Sequence, residues 1–173
     1  WAGKTLKAAG FENVHREGIP MPAWIRGREE AAVISPAPQR LVVTALGGSV
    51  ATPPGGIDAE IVLFREYSQL LAAPPGSLTG KIAIVTQRMP RVMDGGSYGA
   101  ANPIRRAGPS EAARRGAIAY LHRSLGTDNH RIAHTGATNY QPGVTKIPAA
   151  ALSNPDADQL ERLAARGKTR VHL

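Results

Sequence analysis

The chain has 173 residues, 42% of them hydrophobic and 20% charged, so its length suits one folded domain and its composition excludes a disordered chain. It has no cysteine, which excludes disulfides and thiolate metal sites, and its apolar runs are far too short to cross a bilayer. The net charge is +8, but the basic residues are scattered and only 5% of residues are aromatic, a pattern that argues against nucleic-acid binding.

The first ten residues are typical of the end of a helix that stops at Gly10, because glycine readily adopts the backbone conformation that closes a helix. A turn and a short extended piece around Val14 follow. The chain does not begin with methionine. We therefore expect a segment of a longer protein, from which any targeting signal has been lost.

Short apolar runs rich in β-branched residues, separated by glycine- and proline-rich turns, predict the strands. The run KIAIVTQ at residues 81–87 is continuously apolar and typical of a central strand. Residues 88–108 are predicted to form one long polar loop, of a length that is usually functional or mobile. The other predicted strands are residues 31–35, 41–46, 59–64, 117–121, 147–152 and 170–173.

Short helices are predicted between the strands. One lies near residues 67–73, and a second covers residues 111–115, with Ser110 as its cap and Gly116 at its end. The last helix is the clearest, because Asn154 can cap it and Pro155 suits its first position. Its apolar stripe consists of Ala157, Leu160, Leu163 and Ala164.

Three stretches in this order resemble a known domain family: LTGKIAIVTQR, SEAARRGAIAYLHRS and KIPAAALSNPDADQL. Their succession of strand, helix, strand, strand and final helix resembles the protease-associated domain. Two longer runs, YGAANPIRRAGPSEAARRGAIAYLHRS and HTGATNYQPGVTKIPAAALS, resemble the insert domain of the carboxypeptidase Q-like zinc peptidases. These peptidases are part of the aminopeptidase and glutamate carboxypeptidase superfamily. The resemblance extends over residues 24–173.

The resemblance implies an α+β fold with a strand-rich β-sandwich or open barrel-like core and two or three short flanking helices. Residues 1–20 would be the end of the preceding peptidase-domain segment, and residues 21–173 the protease-associated insert domain. In the family, the peptidase domain holds two zinc ions, whereas the insert domain closes over the active-site cleft and is not catalytic. We therefore expect no cofactor in this chain.

The partners implied by the resemblance are the chain's own peptidase domain and the peptide substrate of the parent enzyme. A homodimer is a further candidate assembly, and the parent enzyme would be secreted or periplasmic. The alternative is a free-standing module, without link to catalysis, that binds a peptide or protein through its own surface.

The stretch NHRIAHTGATNY, residues 129–140, is the best candidate for a functional loop and is called the HTG loop below. His130 and His134 have the spacing of two zinc ligands on a helix, but no third ligand is evident, so a metal site is not predicted. No Gly-x-Ser-x-Gly elbow is present, and no catalytic residue is predicted. The candidates for contact with the substrate cleft are His134, Thr135, Gly136 and Tyr140, because a polar loop of this kind can donate hydrogen bonds to a bound substrate. A loop ordered by its own side-chain bonds is the alternative.

Arg105 and Arg106 are the remaining candidates for the substrate cleft. Guanidinium groups bind carboxylates through paired hydrogen bonds, and a dipeptide carries a carboxylate. The alternative for this pair is a salt bridge to Glu111 or exposure to solvent.

Overall fold

The computed structural model describes residues 1–173, which form five helices and eight strands. The strands are β1 (Ala31–Ser35), β2 (Gln39–Leu41), β3 (Val43–Ala45), β4 (Asp58–Phe64), β5 (Ile82–Val85), β6 (Ala119–Arg123), β7 (Ala149–Leu152) and β8 (Arg170–His172). The helices are α1 (Ala2–Ala8), α2 (Tyr67–Ala72), α3 (Gly96–Arg106), α4 (Gly108–Arg114) and α5 (Asn154–Ala164). None of these helices combines the length and the apolar character that crossing a bilayer requires.

The strands form one sheet in the order β2-β1-β8-β4-β5-β6-β7-β3, and its two edge strands are neighbours in the sequence. Only Val42 separates β2 from β3, so the chain itself joins the two edges and the sheet is nearly closed. Strands β4 to β7 are parallel, and the other pairings are antiparallel. The α+β fold class with an open barrel-like core is therefore confirmed.

The prediction of one buried strand over residues 41–46 is wrong, because Val42 interrupts the run and belongs to neither β2 nor β3. The amide of Val42 donates to Asp156 Oδ2 at 2.8 Å, and its carbonyl accepts from the amide of Ser153 at 3.0 Å. Both backbone groups are thus bonded to the start of α5 rather than to a neighbouring strand. The same apolar run therefore supplies two strands at opposite edges of the sheet.

The central strand β5 is buried on both faces, as its continuous apolar sequence predicts. Ile82 and Ile84 join a cluster to which every strand except β3 contributes a buried residue, so this cluster lies inside the sheet. Ala83 and Val85 join a second cluster beneath α2, α3 and α4. The sheet therefore has an inner core and an outer one.

Helix α5 completes the inner core with Ala157 and Leu160, which are fully buried, and with the partly buried Leu163. Ser153, one residue before the predicted cap Asn154, is the N-cap, and its side chain accepts from the amide of Asp156. The predicted apolar stripe is the one that the helix buries.

The prediction of a loop over residues 88–108 is wrong, because α3 occupies most of its second half. Gly99 and Pro103 have low helix propensity and conceal the helix in the sequence. Ala101 and Ile104 nevertheless pack into the outer core, and this tertiary burial outweighs the local preference. The barrel therefore has α3 among its flanking helices in addition to the three predicted ones.

Helix α4 also begins earlier than predicted. Ser110 is fully buried within this helix instead of capping it, and its Oγ accepts from the amide of Gln141 at 3.0 Å. Gly116 follows α4 with φ at +91°, a backbone conformation that favours glycine, as the sequence predicts.

Candidate functional site

The HTG loop is fixed to the end of the sheet where the parallel strands finish. Its Arg131 donates from Nε to both oxygens of Asp156, at 3.0 and 3.2 Å, at the start of α5. The amide of His134 donates to Ser124 Oγ at 2.7 Å, just beyond β6. The loop is therefore ordered by contacts with the sheet and α5.

The middle of the HTG loop lies beside the chain that leaves β3. The amide of Gly47 donates to the carbonyl of Gly136 at 2.7 Å, and the amide of Thr138 donates to the carbonyl of Gly47 at 2.9 Å. The hydroxyl of Thr135 donates to the carbonyl of Ala45 at 3.0 Å. This pairing presents His134 at the surface, where its side chain is exposed.

Arg105 meets His134 through Tyr98, and these three side chains form the centre of the candidate site. Arg105 Nη1 donates to the Tyr98 hydroxyl at 2.8 Å, and that hydroxyl lies 3.3 Å from His134 Nε2. Arg105 Nη2 donates to Asn102 Oδ1 at 3.1 Å. The guanidinium carbon also lies 5.5 Å from the centre of the Tyr98 ring, within cation–π range.

Gly136 is required where the HTG loop crosses Arg105. A Cβ atom at this position would lie 2.6 Å from Arg105 Cζ and 2.7 Å from Nε. Because hydrogen bonds to Tyr98 and Asn102 hold the guanidinium, it cannot move aside without breaking them. The glycine thus allows the backbone to pass directly over the buried arginine.

The charge of Arg105 has no carboxylate beside it, although only 8% of the residue is exposed. Glu111, which the alternative interpretation would pair with the Arg105–Arg106 pair, instead pairs with Arg114 and with Arg115, the latter at 2.8 Å. Arg105 Nε is buried without any hydrogen-bond partner. A desolvated guanidinium of this kind favours an anion or a carbonyl oxygen as its neighbour.

His122 adds a second buried nitrogen without a partner, its Nε2. Burial in the outer core lowers the pKa of His122 to about 4, and the nearby Arg105 and His134 act in the same direction. The contact between its Nδ1 and the carbonyl of Arg123 opposes this change. His122 is therefore neutral at physiological pH, chiefly because burial disfavours the charged form of its imidazole.

The other sequence candidates lie apart from this centre. Arg106 is exposed, and its carbonyl accepts from Thr138 Oγ1 at 3.1 Å. The Tyr140 hydroxyl donates to the carbonyl of Ile147. The hydroxyl hydrogens of Thr135 and Tyr140 are both used within the chain, so the geometry favours the exposed His134 as the group that a ligand can meet.

Four residues of the site do not appear among the sequence candidates: Tyr98, Asn102, His122 and Ser124. Tyr98, Asn102 and Arg105 follow one another at steps of four and three, the spacing of one helix face. That signal is visible only once residues 96–106 are known to be helical. No group of three or more histidine, aspartate or glutamate side chains lies close enough to hold a metal ion.

A cavity of about 440 Å³ opens at the other end of the barrel, where the parallel strands begin. Val50, Pro148 and Leu173 form part of its apolar wall, and Glu29 lies at its rim. Glu29 already accepts from the amide of Ala45 at 2.7 Å. The cavity and the Arg105 site are separate features, because Tyr98, Arg105 and His134 do not line the cavity.

The nearly closed sheet, its flanking helices and the polar loops at one end of the parallel strands agree with the fold expected of a protease-associated domain. No protein-family model matches the chain. Comparison with whole proteins shows a more particular relationship. The chain is 38% identical over 164 residues to carboxypeptidase Q of Bos taurus, and the alignment covers 95% of this chain and 33% of the bovine protein. The sequence resemblance to the carboxypeptidase Q-like peptidases is thereby confirmed.

Solved structures agree with this relationship. A peptidase M28 precursor from Shewanella amazonensis SB2B has a TM-score of 0.92 and 45% identity, with 99% of this chain and 39% of that chain covered. A zinc aminopeptidase from Bacillus subtilis has a TM-score of 0.53 and 14% identity, covering 86% of this chain and 30% of that chain. The second likeness concerns the fold alone. The chain spans about a third of the length of the curated relatives that it matches.

Proposed function

We propose that this chain is the insert domain of a longer dizinc exopeptidase and closes over the cleft in which that enzyme hydrolyses dipeptides or short peptides. The observation that carries the proposal is the coverage: nearly all of this chain aligns with carboxypeptidase Q, yet it accounts for only 33% of that protein. The remaining chain of such an enzyme has room for a separate peptidase domain. In this arrangement the insert domain controls substrate access.

The residues of the chain favour substrate contact over catalysis. His130 and His134 have no third ligand beside them, so this donor set does not fit zinc. The two zinc ions are therefore assigned to the peptidase domain, where they would supply the activated water for hydrolysis. The exposed His134 instead offers a hydrogen-bond donor to an oxygen of the peptide.

The N-terminal residues support a neighbouring peptidase domain as the partner. Helix α1 has no buried residue, and five large apolar side chains before residue 26 are mostly exposed. Covering such side chains with another domain removes apolar surface from water, which is favourable. Residues 1–20 are accordingly assigned to the end of the peptidase segment and residues 21–173 to the insert domain. The exposed apolar side chains are Trp1, Phe11, Ile19, Met21 and Ile25.

A comparison of this chain with the longer protein tests the proposal. We expect the 173-residue chain to hydrolyse no dipeptide and to bind no stoichiometric zinc, whereas the longer protein should do both. In the longer protein, His134→Ala should lower kcat/KM about ten- to a hundredfold with zinc content unchanged, because it removes a donor to a charged substrate group. Dipeptide hydrolysis by the isolated chain, or zinc loss in the His134 variant, would contradict the assignment.

A homodimer and a secreted or periplasmic location accompany this proposal. Sedimentation of the longer protein measures the first, and fractionation of the cells that produce it measures the second. A protein that is monomeric at working concentration or retained in the cytoplasm would remove that part of the proposal.

A free-standing interaction module is the second candidate function, and the cavity of about 440 Å³ favours it. Its apolar wall suits an apolar side chain of a peptide, because the two glutamates that line it, Glu29 and Glu30, are already paired with Arg26 and Arg28. Titration of the isolated chain with short peptides, followed by amide chemical shifts, tests this candidate. Shifts at Val50 and Leu173 with full binding affinity in the absence of a peptidase domain would favour the module over the insert domain.

A further inference from the structure

Tyr98 stands between a group that can only donate hydrogen bonds and a group whose role depends on its tautomer. Arg105 carries N–H groups alone, so in the 2.8 Å contact the Tyr98 oxygen accepts. The hydroxyl hydrogen of Tyr98 then remains free, and His134 Nε2 at 3.3 Å is its one side-chain neighbour within bonding distance. If the hydroxyl donates to that nitrogen, it accepts one hydrogen bond from Arg105 and donates another to His134.

We propose that this directional chain, from Arg105 through Tyr98 to His134, holds the neutral imidazole as the tautomer protonated on Nδ1. A ligand at the mouth of the site therefore meets an N–H donor, and the group recognised there is a carbonyl or carboxylate oxygen. The ligand class rests on the proposed function, since a peptide substrate supplies such an oxygen. Tyr98 is in this sense a positioning residue, which acts on the ligand through His134.

The reverse arrangement satisfies fewer groups. If His134 Nε2 carried the hydrogen, Arg105 and His134 would both donate to Tyr98, and the Tyr98 hydrogen would lack an acceptor within the chain. With the hydrogen on Nδ1, the Tyr98 oxygen has a donor and the Tyr98 hydrogen has an acceptor within the chain, so this arrangement satisfies one more group than the reverse.

The geometry of the neighbouring groups keeps His134 in this position. Its ring meets the Tyr98 ring edge-on at 6.0 Å between centres, and its amide is bonded to Ser124 Oγ. The backbone and the ring are thus held independently of any ligand. His134 itself remains exposed, so an oxygen of a substrate can reach Nδ1.

Nitrogen NMR of the histidine-labelled chain at alkaline pH, where free imidazole is neutral, tests the tautomer directly. We expect His134 to carry its hydrogen on Nδ1 in the wild-type chain and to populate both tautomers in Tyr98→Phe. Tyr67→Phe is the matched control, because that hydroxyl lies on α2 and should leave the His134 signals unchanged. A hydrogen on Nε2 in the wild type, or an unchanged tautomer in Tyr98→Phe, overturns the proposal.

Steady-state kinetics of the longer protein with a dipeptide test the ligand class. Tyr98→Phe should raise KM about three- to tenfold with little change in kcat, the effect of weakening one hydrogen bond to the substrate. An unchanged KM overturns the assignment of an acceptor oxygen to this position. If the longer protein hydrolyses no dipeptide, the proposed function fails, and the NMR result alone then decides whether His134 presents a donor.

Discussion

The candidate site contains two buried nitrogen atoms without hydrogen-bond partners, Arg105 Nε and His122 Nε2. Of these two residues, His122 is the one whose protonation changes within the ordinary pH range. Its pKa is lowered from 6.5 to about 4 by burial. Between these two values the unfolded chain binds more protons than the folded chain, so protonation favours unfolding. The contribution of His122 to stability is therefore complete above about pH 6.5 and is lost progressively as the pH falls towards 4.

We expect the free energy of unfolding to fall by up to about 3 kcal/mol over that pH window, from the size of the pKa change. Urea denaturation at a series of pH values measures it. His122→Gln removes the titrating group, and its stability should depend less on pH between 4 and 6.5. An identical pH dependence in the two proteins would assign the effect to other groups.

Separate helices contribute unequally to the fold, and α5 contributes to both the inner core and the candidate site. Leu160 is fully buried in the inner core, while Asp156 in the first turn binds Val42 and Arg131. Leu160→Ala should cost roughly 2–5 kcal/mol, the usual range for deleting a buried leucine side chain. Thermal unfolding checks this, with Leu71→Ala on the exposed side of α2 as control. An unchanged midpoint in Leu160→Ala would mean that α5 does not stabilise the barrel.

Helix α5 can be predicted from the sequence alone, whereas α3 cannot. Helix α5 has a cap, a proline near its start and a regular apolar stripe, so local pattern and final structure agree. Helix α3 contains Gly99 and Pro103 and is stable because the sheet covers Ala101 and Ile104. The meeting of Tyr98, Arg105 and His134 depends on that helix and on a loop far along the chain. Such a contact follows from tertiary structure and has no local signal.

At the scale of the whole molecule, the last strand holds the two halves of the sheet together. β8 pairs with β1 on one side and with β4 on the other, and Val171 is fully buried between them. A chain shortened to residues 1–168 should therefore lose cooperative unfolding. Deletion of residues 1–10 is the matched control, because α1 buries nothing and its loss should leave the midpoint nearly unchanged. Circular dichroism melts compare the two, and a cooperative melt of the shortened chain would show that β8 is dispensable.

Because β8 is the last strand of the chain, β1 and β4 are synthesised well before the strand that pairs with both of them. Val33 pairs with Val171, about 140 residues later in the chain. At the roughly 5–20 residues per second of translation, β1 leaves the ribosome at least several seconds before its partner. During that interval β1 and β4 each expose an unpaired edge, the kind of surface at which nascent chains associate wrongly. The nascent domain therefore exposes two edges that can associate wrongly until its last strand is complete, although the finished barrel leaves almost no edge exposed.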